Sequence, residues 1–174
     1  SNGFAFLDTH YYGGIKHYQW VTLPLALHGV IAKTDGTVVD VNVGDDAGDP
    51  VFCVTDLLPH LGNQQMAKKG SEVVEGENLD VLIGNRRLKV EPADDASDEE
   101  KAAAKEPVKA FALKLLEEKY GITEEDFLSA EIEVVPAGRA RELGFDRSMV
   151  IGYGQDGRVC AYTSRESQLA IETP

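Results

Sequence analysis

Between Trp20 and Val43 apolar and polar residues largely alternate in two runs, Val21 to Ala32 and Thr37 to Val43, parted by Thr34-Asp35-Gly36. Alternation puts one set of side chains on each face of a strand, and an Asp-Gly pair suits a tight reversal, so the pattern predicts a hairpin. Pro24 lies inside the first run and lacks a ladder donor, which assigns that part to an edge or a bulge. An acidic, glycine-bearing loop from Gly44 to Pro50 leads to a short apolar run, Val51 to Val54. Thr55-Asp56 then reads as the cap of a short helix carrying Leu57, Leu58 and Leu61, with Pro59 limiting its regularity. The polar stretch Gln64 to Asn78 predicts an exposed loop, and Leu79 to Ile83 predicts another strand.

From Glu91 to Lys105 the chain is mostly Asp, Glu, Ala and Lys, and periodic burial nearly disappears, which predicts an exposed and partly mobile segment. Pro107 then opens a one-sided apolar stripe of Val108, Phe111, Ala112, Leu115 and Leu116 at helical spacing, closed at Tyr120-Gly121. Thr123 followed by Glu124, Glu125 and Asp126 marks a second, short helix start, because hydroxyl and carboxylate oxygens satisfy first-turn amides. Ala130 to Val135 alternates as a strand and Pro136-Ala137-Gly138 ends it. Ser148 to Tyr162 is apolar and glycine-punctuated around a polar knot, Gln155-Asp156-Gly157-Arg158. Strands outnumber helices and the helices fall late, so the expected class is α+β, β-rich, with a strongly twisted or barrel-like sheet.

A chain of 174 residues with 43% hydrophobic content is long enough for one real core. Thirty acidic against 17 basic residues give a net charge of -13, which repels phosphate backbones and anionic lipid and argues against nucleic acid or membrane as partners. Cys53 and Cys160 form no CxxC pair and read as reduced and buried. No stretch reaches the roughly 18 apolar residues of a membrane span, so a soluble, cytoplasmic protein is expected. Ser1-Asn2 resembles the remnant of a cleaved tag, which points to a piece of a longer polypeptide.

Candidate chemistry is sparse. The histidines His10, His17, His28 and His60 include no pair at the spacing that puts two metal ligands on one helical face. His28 sits in an apolar strand, where a structural role is the simpler reading, and Asp8 with His10 forms an isolated loop pair. Ser164 and Cys160 have no neighbouring base to activate them, which excludes nucleophilic catalysis by either. Asp156 follows an apolar strand ending at Ile151, where an α/β sheet presents ligands; it reads either as a metal ligand or as a turn-forming Asp-Gly.

Two long segments, DTHYYGGIKHYQWVTLPLALHGVI and ELGFDRSMVIGYGQDGRVCAYTS, resemble the aspartyl aminopeptidase / aminopeptidase I family of zinc metallopeptidases. The intervening PVFCVTDLLPHLGNQ, LDVLIG and FLSAEIEVVPAGRARELGFDRS fit its mainly bacterial branch, so the resemblance covers nearly the whole chain. It implies a catalytic α/β domain with two zinc ions, interrupted by a β-rich insert that builds a dimer from which hollow particles assemble. Residues 13–147 would be that dimerisation insert, with 1–12 and 148–174 as stubs of the catalytic domain. The family's metal-bridging aspartate falls on Asp156, while Gly157 stands where a second acid or an amide is usual. The other ligands, a His-x-Asp motif upstream and a Glu-Glu pair, an aspartate and a histidine downstream, would lie outside the chain, leaving it metal-free and inactive alone. His60, in TDLLPHL, aligns with a histidine sent into the neighbouring subunit's active site, to bind substrate or stabilise the oxyanion; otherwise it is a partly exposed loop histidine.

The implied function is a piece of an enzyme that hydrolyses amino-terminal residues from peptides, acting as a homo-oligomer. The competing reading is a free-standing acidic module whose loops, Gly44 to Pro50 and Asp94 to Glu100, take a calcium ion or a basic partner, although they lack regular calcium-ligand spacing. The C-terminal stretch from Tyr162 is expected to begin a helix without its packing partner, disordered or in a non-native arrangement.

Overall fold

The computed structural model describes residues 3–88 and 97–171, which fall into two compact units, Ser1–Ala137 and Gly138–Pro174. The first unit contains β1 (Ala5–Leu7), β2 (Leu25–Ala32), β3 (Val38–Val43), α1 (Asn63–Met66), β4 (Val81–Gly84), α2 (Asp98–Lys105), α3 (Pro107–Tyr120) and β5 (Ala130–Pro136). The second contains β6 (Arg141–Leu143), β7 (Met149–Ile151) and α4 (Gln155–Leu169).

The hairpin expectation holds: β2 pairs antiparallel with β3, Ala32 opposite Val38, and Thr34–Asp35–Gly36 makes the turn with Gly36 at φ +85°. β2 also pairs with β5 on its other side, which makes a three-stranded sheet in the order β3-β2-β5. The register assigns its two faces. Leu27 lies opposite Val43 and Val134, Gly29 opposite Val41 and Ile132, and Ile31 opposite Val39 and Ala130, so one face is apolar throughout. His28 lies beside Asn42 and Glu133, and Val30 beside Asp40 and Glu131, on the other face. The apolar face packs against Leu116 and Tyr120 of α3 and against Ile122 and Phe127. Each fully buried side chain here, such as Ile31 or Ile122, contributes about 1.5–3 kcal/mol.

Gly29 marks the tightest point of that sheet. A Cβ there would strike the Glu131 carbonyl and come within 2.8 Å of Ile132 Cα. The Gly29→Ala chain is expected to lose about 1–3 kcal/mol by overpacking, read as a lower denaturation midpoint with circular dichroism.

Pro24 ends β2 rather than interrupting it: the strand starts at Leu25, and the Pro24 carbonyl accepts the Ala137 amide at 2.9 Å. The run Val51 to Val54 forms only isolated bridges, Phe52 to Leu25, Val54 to Val21 and Cys53 to Leu82, linking the three-stranded sheet to β4. β4 in turn pairs with β1. Over this second layer Leu25, Val54, Leu79 and Val81 form a separate core with Trp20, Ile15 and Val74. The barrel-like sheet expected from the pattern is therefore corrected. Among the described residues there are three small sheets, with no closed barrel, because single bridges replace continuous ladders at the junctions.

The α3 helix has the predicted limits. Pro107 stands in its first turn, and Gly121, in the left-handed region at φ +63°, caps the end by donating its N–H to the Glu117 carbonyl. Three other expectations are revised. Asp98–Lys105 is helical, since Ala, Glu and Lys are strong helix formers even without an apolar stripe; residues 91–96 of that segment lie outside the described residues. The Thr123 region forms a single short turn of 3₁₀ helix, Asp126–Ser129. The C-terminal helix begins at Gln155, seven positions before the expected start at Tyr162.

At the Thr123 turn the capping runs in reverse: the carboxylate of Asp126, only 3% exposed, accepts from the Thr123 amide at 2.8 Å, the Thr123 hydroxyl at 2.9 Å and the Thr34 amide at 3.2 Å. The Thr123 amide above all, with its hydroxyl, the Thr34 amide and Lys33, lowers the Asp126 pKa below the ordinary 3.8. A lowered carboxylate stabilises the fold fully above the ordinary value and loses that contribution as pH falls through the lowered one. Asp126→Asn should therefore melt earlier at pH 7, and its deficit against the unaltered chain should shrink on acidification below about pH 3.8, checked by paired thermal melts.

Candidate functional site

The segment that carries His60 takes a different form from the predicted helix. Pro59 disfavours a helical conformation at Leu58, and the chain makes a turn over Leu58–Leu61, with the Leu61 amide donating to the Leu58 carbonyl at 2.9 Å. Pro59 holds the second position of the turn and His60 the third, so the imidazole stands at the tip, exposed. The helix is displaced to Asn63–Met66. Instead of capping a helix, Asp56 accepts the Leu57 amide at 2.8 Å and the Gln65 side-chain amide at 2.9 Å through the same oxygen. Around His60 the side chains of Leu57, Leu58, Leu61 and Met66 are 56%, 67%, 73% and 67% exposed, an apolar surface within the first unit.

Asp156 belongs to the second unit. The hairpin β6–β7 ends at Ile151, and after Gly152–Gly154 the chain enters α4 through Gly154, in the left-handed region at φ +75°. Asp156 occupies the first turn of that helix, so the turn-forming Asp-Gly alternative is replaced by a helix start. The carboxylate is exposed and accepts no hydrogen bond among the described residues. Gly157 next to it has open space where a Cβ would sit. Met149, Val150 and Ile151 are 55%, 60% and 57% exposed, although adjacent strand residues point to opposite faces; both faces of β7 are apolar and uncovered within this unit.

The other histidines have local partners. His10 pairs with Glu77 at 3.1 Å rather than serving an Asp8–His10 site, and His17 Nδ1 meets the Val74 carbonyl at 3.2 Å with its ring edge-on to Tyr11. His28, on β2, comes within 3.0 Å of Asp45. Cys53 and Cys160 are both free, but Cys53 is only half-buried and Cys160 lies exposed on α4, against the expectation that both are buried. Among the described residues no three His, Cys, Asp or Glu side chains converge on a common metal position. A cleft of about 730 Å³ is lined by Phe4 and Phe6 of the β1 region, Val108 and Leu116 of α3, and Phe127; neither His60 nor Asp156 borders it. No helix among the described residues is long and apolar enough to cross a membrane.

Two features escaped the sequence pattern: the Asp56–Gln65 contact, and Asp126 as an acceptor for Thr34. The Thr-x-x-Asp spacing at Thr123 signalled the second in part; nothing local signalled the first.

Comparison with known proteins places this geometry. Residues 1–174 match the family of aminopeptidase I zinc metalloproteases, M18. A probable M18 family aminopeptidase 1 of Clostridium acetobutylicum is 59% identical over 97% of the chain, which spans 34% of that relative. The crystal structure of aminopeptidase I from Clostridium acetobutylicum is similar with a TM-score of 0.79 at 56% identity, over 98% of this chain and 35% of that one. An M18-family aminopeptidase structure from Thermotoga maritima has a TM-score of 0.80 at 46% identity, over 99% and 35%. The chain thus spans about a third of the length of these relatives. The 174 residues belong to the aminopeptidase I zinc metalloprotease family, M18.

Proposed function

We propose that this chain is an internal segment of a zinc-dependent aminopeptidase that hydrolyses amino-terminal residues from peptides in the cytoplasm. The observation that carries the reading is identity of 59% along 97% of the chain to an M18 aminopeptidase of which it spans only 34%. Residues 13–147 are the dimerisation insert, and 1–12 and 148–174 belong to the catalytic domain. The apolar strand β7 and the outer surface of α4, with Val159, Tyr162 and Leu169 exposed, are covered in the intact protein by the rest of that domain.

From this chain Asp156 is the residue that would hold zinc, through its carboxylate. Zinc, when bound, supplies Lewis-acid polarisation of the scissile carbonyl and an activated water. His60 reaches from the insert of one subunit into the active site of the next, where its N–H donates to the oxygen that gains charge during hydrolysis. Its exposure at the tip of a proline turn, ringed by uncovered leucines, supports a role beneath a second subunit. Alone, the 174 residues lack most of the active site and are inactive.

An acidic binding module has no observation in its favour among the described residues, and residues 94–96 of its second loop lie outside them. In the loop Gly44 to Pro50, Asp49 is engaged by the Gly44 amide at 3.1 Å and by Lys119 at 3.8 Å, and Asp45 by His28.

The test is hydrolysis of an unblocked peptide by the intact protein with zinc. Release of the first residue, abolished when the peptide is N-acetylated, is the expected result. Cleavage inside the blocked peptide, or none of either peptide, would refute an aminopeptidase.

A further inference from the structure

A catalytic side chain on an exposed turn is useful only if the turn holds one position, because a displacement of about 1 Å costs on the order of a hundredfold in rate. The turn that carries His60 has few ties to the remainder of the chain. The Leu61 and Gly62 amides both donate to the Leu58 carbonyl, at 2.9 Å each, and the Met66 amide donates to Gly62 at 2.8 Å; all of these lie within the turn or its following helix. The flanking leucines are mostly exposed and belong to neither apolar core.

Gln65 provides the missing anchor. Its Nε2 donates to Asp56 Oδ1 at 2.9 Å, across nine positions, and lies 3.3 Å from the Val73 carbonyl. The first contact draws together the two ends of the segment whose tip is His60. The second ties that base to a loop outside it. Gly62, buried beneath the amide, leaves room for this arrangement, since a Cβ there would already lie 3.3 Å from Gln65 Oε1.

We propose that Gln65, braced by Asp56, is a positioning residue that holds the Leu57–Gln64 loop at the height and direction from which His60 serves the neighbouring active site. The inference rests on the reading of His60 given above. It predicts a dependence on the polarity of the contact rather than on bulk. Gln65→Glu sets a carboxylate against the Asp56 carboxylate and forces the base of the loop open, whereas adding Asp56→Asn restores a donor facing an acceptor.

The experiment compares the intact peptidase with its Gln65→Glu, Asp56→Asn/Gln65→Glu and His60→Phe variants, each confirmed as the native oligomer by mass in solution. Gln65→Glu is expected to lower kcat about tenfold with KM changed less than about twofold, and the double variant to recover kcat to within about threefold. Hydrogen exchange at the Leu57 and Gly62 amides should accelerate roughly tenfold in Gln65→Glu and return in the double variant. Unchanged kcat in Gln65→Glu beside a slow His60→Phe enzyme would overturn the positioning role and leave His60 in place. Full turnover in His60→Phe would overturn both. If Gln65→Glu prevents assembly, exchange at the two amides in the 174-residue chain decides, and equal rates with and without the substitution overturn the inference.

Discussion

Replacing Asp156 with asparagine in the intact peptidase is expected to strip the bound zinc and abolish turnover while leaving the fold in place. Substituting an outer partner of a metal ligand already costs about 10–100-fold in metal affinity, so removing the charge of the carboxylate proposed to hold the metal should cost more than about a hundredfold. The structure makes the substitution a clean one. Asp156 is exposed in the first turn of α4 and is not held by any hydrogen bond among the described residues, and asparagine has the same shape. What disappears is a negative oxygen placed where a strand gives way to a helix. Metal analysis after dialysis, with circular dichroism as the control for folding, checks the expectation. Full zinc content and normal turnover would remove Asp156 from the metal site.

The second large effect falls on the other unit. His60→Phe should lower kcat by about 10²–10³, the usual cost of losing one oxyanion donor, with the oligomer intact. Phenylalanine at the tip of the Pro59 turn breaks no contact in either apolar core, because His60 is exposed and lines neither. The leucines that surround it are unchanged by the substitution. Steady-state kinetics beside mass in solution distinguishes a lost donor from a lost interface: slow turnover with normal mass supports the proposal, and loss of the oligomer with slow turnover would reassign His60 to assembly.

What could be read from residue order divides along a physical line. The hairpin, α3 and β5 were legible because each carries its own periodicity and its own stop, in Thr34-Asp35-Gly36, Pro107 with Gly121, and Pro136. The Leu57–Leu61 segment was misread because three leucines at helical spacing outweighed Pro59, whose effect on Leu58 decides the backbone. Closure of a sheet depends on long-range registers that local alternation does not encode, which is why a barrel-like sheet was expected where single bridges at Phe52 and Cys53 join separate sheets. Asp98–Lys105 was passed over since its helicity comes from propensity alone. The metal role expected of Asp156 rests on the long segments around it rather than on any local cluster of ligands. No such cluster exists among the described residues.

Zinc stoichiometry is the most direct measurement of the account as a whole. The intact protein and the isolated 174-residue chain are dialysed against the same zinc buffer, their metal is counted, and both are offered an unblocked peptide. The account predicts two zinc ions per subunit and hydrolysis for the intact protein, with neither stoichiometric zinc nor hydrolysis for the chain alone. A 174-residue chain that retains a pair of zinc ions and cleaves the peptide would contradict it.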